Sequence, residues 1–199
     1  MRSPDAFHGH PAYLVVWIVT YWLGFMPEIV LSLLLRSKRT AQKLDRGSKF
    51  FVIVAANLAI LIGFLVVFAF PGFSINVHWK ATFDAGIVLW LSGAFFRFYC
   101  MLTLGRFFTY DVAISTGQSL VERGPYRLLR HPSYLGSLLA YIGFGMTLTN
   151  WLAIFLPALC LGVAYVYRVR IEEAALRHGL GAPYQEYMRR TWRLIPFVF

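Results

Sequence analysis

The chain has 199 residues, of which 58% are hydrophobic and 18% aromatic, with a mean hydropathy of +0.60. This is too apolar for an ordinary soluble domain and points to an integral membrane protein. A formal net charge of +10 would suggest nucleic acid elsewhere. Here the basic residues fall in blocks between hydrophobic segments, which argues for phosphate headgroups and membrane orientation instead, with the lipid bilayer as partner.

In chain order, residues 1–13 lack the charged region, short apolar core and small-residue cleavage site of a signal peptide, so the first span is expected to stay in the mature protein. Ala12 to Leu35 is that span, long enough to cross a hydrocarbon core of about 30 Å with some tilt. Phe50 to Phe70 and Phe83 to Leu104 are the second and third. Tyr134 to Leu148 and Trp151 to Tyr167 are shorter and are separated only by Thr149-Asn150, the pattern of a helical hairpin. The fold class is therefore an all-α integral membrane protein of about five transmembrane helices, ending in a C-terminal hairpin. Residues 1–104 form a three-span anchor region and 105–199 a core with loop, hairpin and tail, within one membrane domain.

Sixteen of the nineteen Lys and Arg residues fall in three blocks, 36–49, 106–130 and 168–193, that five spans place on one side. The positive-inside rule makes that side cytoplasmic and puts the N-terminus outside. The two stretches richest in chemistry share that side. They are Gln118 to Tyr134, QSLVERGPYRLLRHPSY, and Arg168 to Glu173, RVRIEE.

In the first stretch, Arg123, Arg127, Arg130 and His131 surround a Gly124-Pro125 turn, and His131-Pro132 predicts a helix beginning at Pro132. The free N–H groups and macrodipole of that helix, beside a cationic loop, suit an anion. Ser133, Gly136, Ser137, Ala140 and Gly143 make a small-residue face for close packing, expected against the helix after Trp151. Closing the hairpin returns Arg168 and Glu172 to His131 and Tyr134. Four residues apart, Arg168 and Glu172 share a helix face and form either a surface ion pair or a polar pair aimed into a site, with the arginine clamping a carboxylate or phosphate. Glu173 is expected in solvent.

Glu28 and Arg97, inside the first and third spans, lie equally deep and suit a structural ion pair, the lining of a substrate path or snorkelling. Asp111 closes the site or sits in its loop. His8, His10 and His78 are remote from it, and Cys100 and Cys160 lie alone in apolar runs, so neither a metal site nor a disulfide is expected. The tryptophans serve as interfacial anchors or in span packing. The tail from Ala182, with Tyr184, Tyr187 and Met188 on one face, predicts a short amphipathic helix, interfacial or acting as a lid.

GPYRLLRHPSYLG, RxxxEE about 35 residues on, and GAPYQEYMRRTWRLIP at the end resemble the isoprenylcysteine carboxyl methyltransferase family, over roughly Gln118 to Pro196. The chain looks like a compact, five-span prokaryotic form. The resemblance implies an S-adenosylmethionine-dependent membrane methyltransferase with a cytoplasmic cofactor site, in the cytoplasmic membrane of a prokaryote or the endoplasmic reticulum of a eukaryote. It implies cofactor contacts from Gln118, where relatives often carry histidine, and from Ser119, Leu120, Val121, Tyr126, His131, Pro132, Ser133, Tyr134 and Glu172. Arg168 would hold the acceptor carboxylate and, with Glu172, form the catalytic pair. Gly124 and Pro125 would shape the turn. The acceptor would be a carboxylate on an isoprenylcysteine-like or other lipophilic molecule, with a thiol or an amino-lipid as competitors; a carboxylate needs no general base, whereas an amine does. The competing classes are a noncatalytic scaffold or lipid-binding protein and, more distantly, a sterol-reductase-like enzyme using a nicotinamide cofactor.

Overall fold

A computed structural model describes residues 10–34, 42–43, 45, 47–110, 112–114 and 119–196. Among these lie six α-helices: α1 Pro11–Leu34, α2 Ser48–Ala69, α3 Trp79–Leu104, α4 Pro132–Thr147, α5 Trp151–Leu180 and α6 Ala182–Arg190. A short antiparallel pair, β1 (Gln42–Lys43) with β2 (Ala113–Ile114), joins the loop before α2 to the segment after α3. The all-helical expectation holds, and α2, α3 and α5 are long and apolar enough to cross a membrane by length and composition.

The predicted hairpin is α4–α5. Its turn is tight: Thr149 takes a positive φ of 48°, and the Asn150 side chain accepts from the N–H groups of Leu152 (2.9 Å) and Ala153 (3.3 Å), capping α5. Pro157 does not break α5. It removes the i+4 donor of the Ala153 carbonyl, and that carbonyl lies against Gly145, where any side chain would collide with it. At 30 residues α5 is about 45 Å long, well beyond an apolar core of about 30 Å. Its C-terminal turns, with Arg168, Glu172 and Glu173, thus carry a polar end out of the apolar run.

The small-residue face of α4 packs on α3, not chiefly on α5 as its sequence neighbour suggested. A Cβ on Gly136 would come within 2.8 Å of the Arg97 nitrogen, one on Gly93 within 2.5 Å of the Ala140 nitrogen, and one on Gly143 would overlap the Trp90 backbone. The two backbones meet at glycine positions, where the missing side chains let α3 and α4 approach closely. Ser137 is the face's link to α5, accepting from the Tyr165 hydroxyl at 2.7 Å. Behind this seam Trp90, Phe144, Trp17 and Phe25 form an aromatic core, and the Trp17 indole N–H donates to Thr147 Oγ1 at 2.9 Å. Trp17 and Trp90 therefore serve span packing, whereas Trp22 and Trp151 stand exposed.

Candidate functional site

The site forms where the α4–α5 hairpin closes. His131, with φ −127° and ψ 52°, is outside the helical region as the following proline requires, and α4 starts at Pro132. Tyr134, in its first turn, stacks between His131 (centroids 5.7 Å, 12°) and Tyr165 of α5 (4.6 Å, 22°). Its hydroxyl donates to Glu172 Oε2 at 2.7 Å and accepts from Arg168 Nε at 3.2 Å. Arg168 and Glu172 therefore meet through Tyr134. They are not a surface pair, because Arg168 is only 5% exposed.

Arg168 is also tied to the loop before α2 and to the segment after α3. Its Nη1 donates to Asp45 Oδ1 (2.5 Å) and Ser48 Oγ (2.8 Å), and its Nη2 to the Tyr110 carbonyl (2.6 Å). Burial alone would raise the Asp45 carboxyl. Hydrogen bonds from the Lys49 N–H and Ser48 hydroxyl, the Arg168 charge and the Val112 N–H outweigh it and hold the group below its ordinary value of 3.8.

Glu173, expected in solvent, is fully buried. The reason is a knot of cations. Its Oε1 accepts from Arg130 Nε at 2.8 Å and lies 3.4 Å from His131 Nε2, and its Oε2 accepts from Arg193 Nε at 3.1 Å. Arg130 donates further to the carbonyls of Met188 and Thr191. The backbone of the tail adds a strand-like contact: Arg130 N–H to the Trp192 carbonyl (2.8 Å) and His131 N–H to that of Arg193 (2.9 Å). The apolar face of α6 turns inward. Tyr184 and Tyr187 are buried, and the Tyr187 hydroxyl donates to the Tyr126 carbonyl at 2.7 Å. Burial raises the phenols of Tyr126, Tyr184 and Tyr187 well above the usual tyrosine range. The tail thus braces the motif from behind.

Within the helices, Arg97 makes a two-pronged pair with Glu28, Nε to Oε2 at 2.6 Å and Nη2 to Oε1, and donates from Nη1 to the Ser133 carbonyl at 3.1 Å. The pairing read from equal depth is present, and Arg97 joins α1, α3 and α4 at one point.

Part of this network lines a cavity of about 450 Å³. Its polar end is walled by Tyr126, His131, Ser133, Tyr134, Arg168 and Glu172. Glu28 and Arg97 also line it, and Tyr21, Phe25, Val52 and Ile60 of α1 and α2 supply an apolar wall. Pro132 is buried in the first turn of α4 and is not among the lining residues. Ser119, Leu120 and Val121 are described but are not among the lining residues, and Gln118 and Asp111 lie outside the described residues. The α6 region contributes nothing to the described lining, contrary to a lid. Asp45, Tyr110 and Tyr165 were missed as site residues. Only Asp45 carried a signal, as the single acid in a loop with six basic residues.

Similarity to known proteins covers the same ground. Residues 86–178 match the model of the isoprenylcysteine carboxyl methyltransferase (ICMT) family. Protein-S-isoprenylcysteine O-methyltransferase A of Arabidopsis thaliana is 31% identical over 73% of this chain and 73% of its own length. The Saccharomyces cerevisiae protein-S-isoprenylcysteine O-methyltransferase is 31% identical over 78% and 66%. A solved structure of the eukaryotic intramembrane Ras methyltransferase ICMT superposes with a TM-score of 0.61 at 30% identity, covering 73% of this chain and 52% of that one, about half its length. With the motif order, the hairpin geometry and these relatives in agreement, the chain belongs to the isoprenylcysteine carboxyl methyltransferase family of integral membrane enzymes, whose methyl donor is S-adenosylmethionine.

Proposed function

We propose that this methyltransferase acts on the carboxylate of an isoprenylcysteine or a closely similar lipophilic acid, at a site facing the cytoplasm beneath five transmembrane helices, α1 to α5. The observation that carries the reading is the single cavity that joins the polar cluster of Tyr134, Arg168 and Glu172 to the apolar wall of α1 and α2. An amphiphile with a charged head and an isoprenoid tail matches both ends. The names of the relatives support the substrate class, and the sixteen basic residues on one side support the orientation.

The residues fit the methyl donor. Glu172, with a side chain 30% exposed, offers a carboxylate to cationic or hydroxyl-bearing groups, and the opening turn of α4 beside it presents the positive end of its helix dipole to an anionic one. When bound, S-adenosylmethionine supplies an electrophilic methyl group on a sulfonium. The chain's residues then have to orient and shield. Tyr134, fixed by its stack and by Glu172, sets the distance between the two ends of the site. Arg168 presents positive charge to the acceptor's head, and the apolar wall excludes water and strengthens that attraction. A carboxylate arrives ionised, so no residue need take a proton, and positioning is the chain's main contribution.

The test is calorimetric binding of S-adenosylhomocysteine to the purified protein and to His131→Ala, Glu172→Ala and Arg168→Ala. Binding is expected to be lost in the first two and retained in the third, with labelled methyl transfer to a farnesylcysteine acid in preference to thiols and amino-lipids. Absence of binding by the folded wild type would overturn the reading.

A further inference from the structure

Arg168 carries five N–H groups. Nε is given to Tyr134, both of Nη1 to Asp45 and Ser48, and one of Nη2 to the Tyr110 carbonyl, which leaves one Nη2 hydrogen without a partner among the described residues. Arg168 and Tyr134 line the cavity, and Asp45 and Ser48 are not among its lining residues. The Nη1 edge is thus engaged from behind. The arginine offers its acceptor one charged N–H rather than a free two-pronged fork.

Asp45 is well suited to fix that edge because it is itself held. Its carboxylate accepts from the Ser48 hydroxyl (2.9 Å), the Lys49 N–H (3.1 Å) and the Val112 N–H (3.3 Å). It thereby ties the loop before α2, the segment after α3 and the C-terminal half of α5 to one point. Removing its charge would leave the guanidinium of the buried Arg168 without an anion on the Nη1 edge, on a long side chain able to re-aim. Asp45 also lies outside residues 86–178, the segment that the family model matches.

We infer that Asp45 is a positioning residue for the methyl acceptor, holding Arg168 from outside the cavity so that its remaining N–H meets the acceptor's carboxylate. The inference rests on the reading of Arg168 as the acceptor's arginine. Asp45 touches neither substrate nor cofactor, and its effect is confined to ligands that carry the carboxylate.

The experiment uses the full chain saturated with S-adenosylhomocysteine and two probes, N-acetyl-S-farnesylcysteine and its uncharged carboxamide, with binding measured by calorimetry. Asp45→Asn keeps a side-chain oxygen for the backbone N–H groups and removes the charge. Its affinity for the acid is expected to fall roughly tenfold, the scale of one charge-assisted hydrogen bond. Affinity for the carboxamide and for S-adenosylhomocysteine should stay within about twofold of wild type. Arg168→Gln, which removes the charge, should abolish the preference for acid over carboxamide. If D45N does not fold, Asp45→Glu moves the same carboxylate by one methylene, and the loss should again be confined to the acid. Retained acid preference in the Asp45 variants would overturn the inference. So would tighter acid binding, which would make Asp45 a competitor, or an equal loss of all three ligands, which would make it purely structural. A wild type that does not prefer the acid would refute the reading of Arg168 before any substitution, and the role of Asp45 with it.

Discussion

Gly93→Ala isolates the α3–α4 seam. The added Cβ would lie 2.5 Å from the Ala140 nitrogen, 2.7 Å from the Gly136 carbonyl oxygen and 3.1 Å from the Ala140 Cα, against the 3.4 Å at which ordinary contact begins. Every obstructing atom is backbone, so no rotamer change relieves the overlap, and the helices must part by several tenths of an ångström. Overpacking of this kind costs about 1–3 kcal/mol, and the rigid neighbours place this site near the upper end. The gain in helix propensity from Gly to Ala returns about 1 kcal/mol, for a net loss of about 2 kcal/mol. For a chain of this size that is a fall of roughly 4–8 °C in the unfolding midpoint, measured by thermal denaturation in detergent. Gly162→Ala is the control: it is also in a helix, but its Cβ would meet only Leu138 Cδ2 at 4.0 Å. Its midpoint should stay level or rise. A G93A protein as stable as wild type, or one matching G162A, would refute the claim that backbone contact closes this seam.

Three further outcomes follow from the charged groups. Arg97→Gln and Glu28→Gln should each destabilise the protein by about 2–3 kcal/mol, below the range for a fully buried pair because the Glu28 side chain is 36% exposed. The double variant should lose less than the sum, and strictly additive losses in denaturation would exclude the pairing. Glu173→Gln should cost about 3 kcal/mol, since it leaves Arg130 and Arg193 without their shared carboxylate; a change below about 0.5 kcal/mol would show that the knot is not structural. Asp45 has a folded-state pKa below its ordinary 3.8, so its contribution is present above that value and is lost as pH falls through the lower, folded one. Unfolding midpoints measured below about pH 4 should therefore fall more steeply for wild type than for D45N. Equal slopes would contradict the depressed pKa.

Much of the site's machinery was legible because short-range rules dictate it. Proline after His131 fixes where α4 begins, and Thr149-Asn150 between two apolar runs makes a hairpin whose arms return Tyr134 to Arg168 and Glu172. Equal depth in two spans paired Glu28 with Arg97. The position of Glu173 was not legible, because helix spacing states which face a residue takes and not what covers that face. The tail from Thr191 to Leu194 covers it, bringing Arg193 beside Arg130. The partner of the small-residue face was hidden for a similar reason: chain adjacency favoured α5, while glycines spaced along α3 allowed the closer approach.

Hydropathy, charge blocks and proline by themselves determined that the chain is helical, membrane-bound and polar at the end where its motifs gather, because each depends on residues adjacent in sequence or one helical turn apart. The tertiary structure alone decided which acids serve Arg168 and Arg130. Asp45 and Glu173 reach them across 123 and 43 residues, respectively. A buried guanidinium requires an anion on its edge, but only the packed helices determine which carboxylate is brought there.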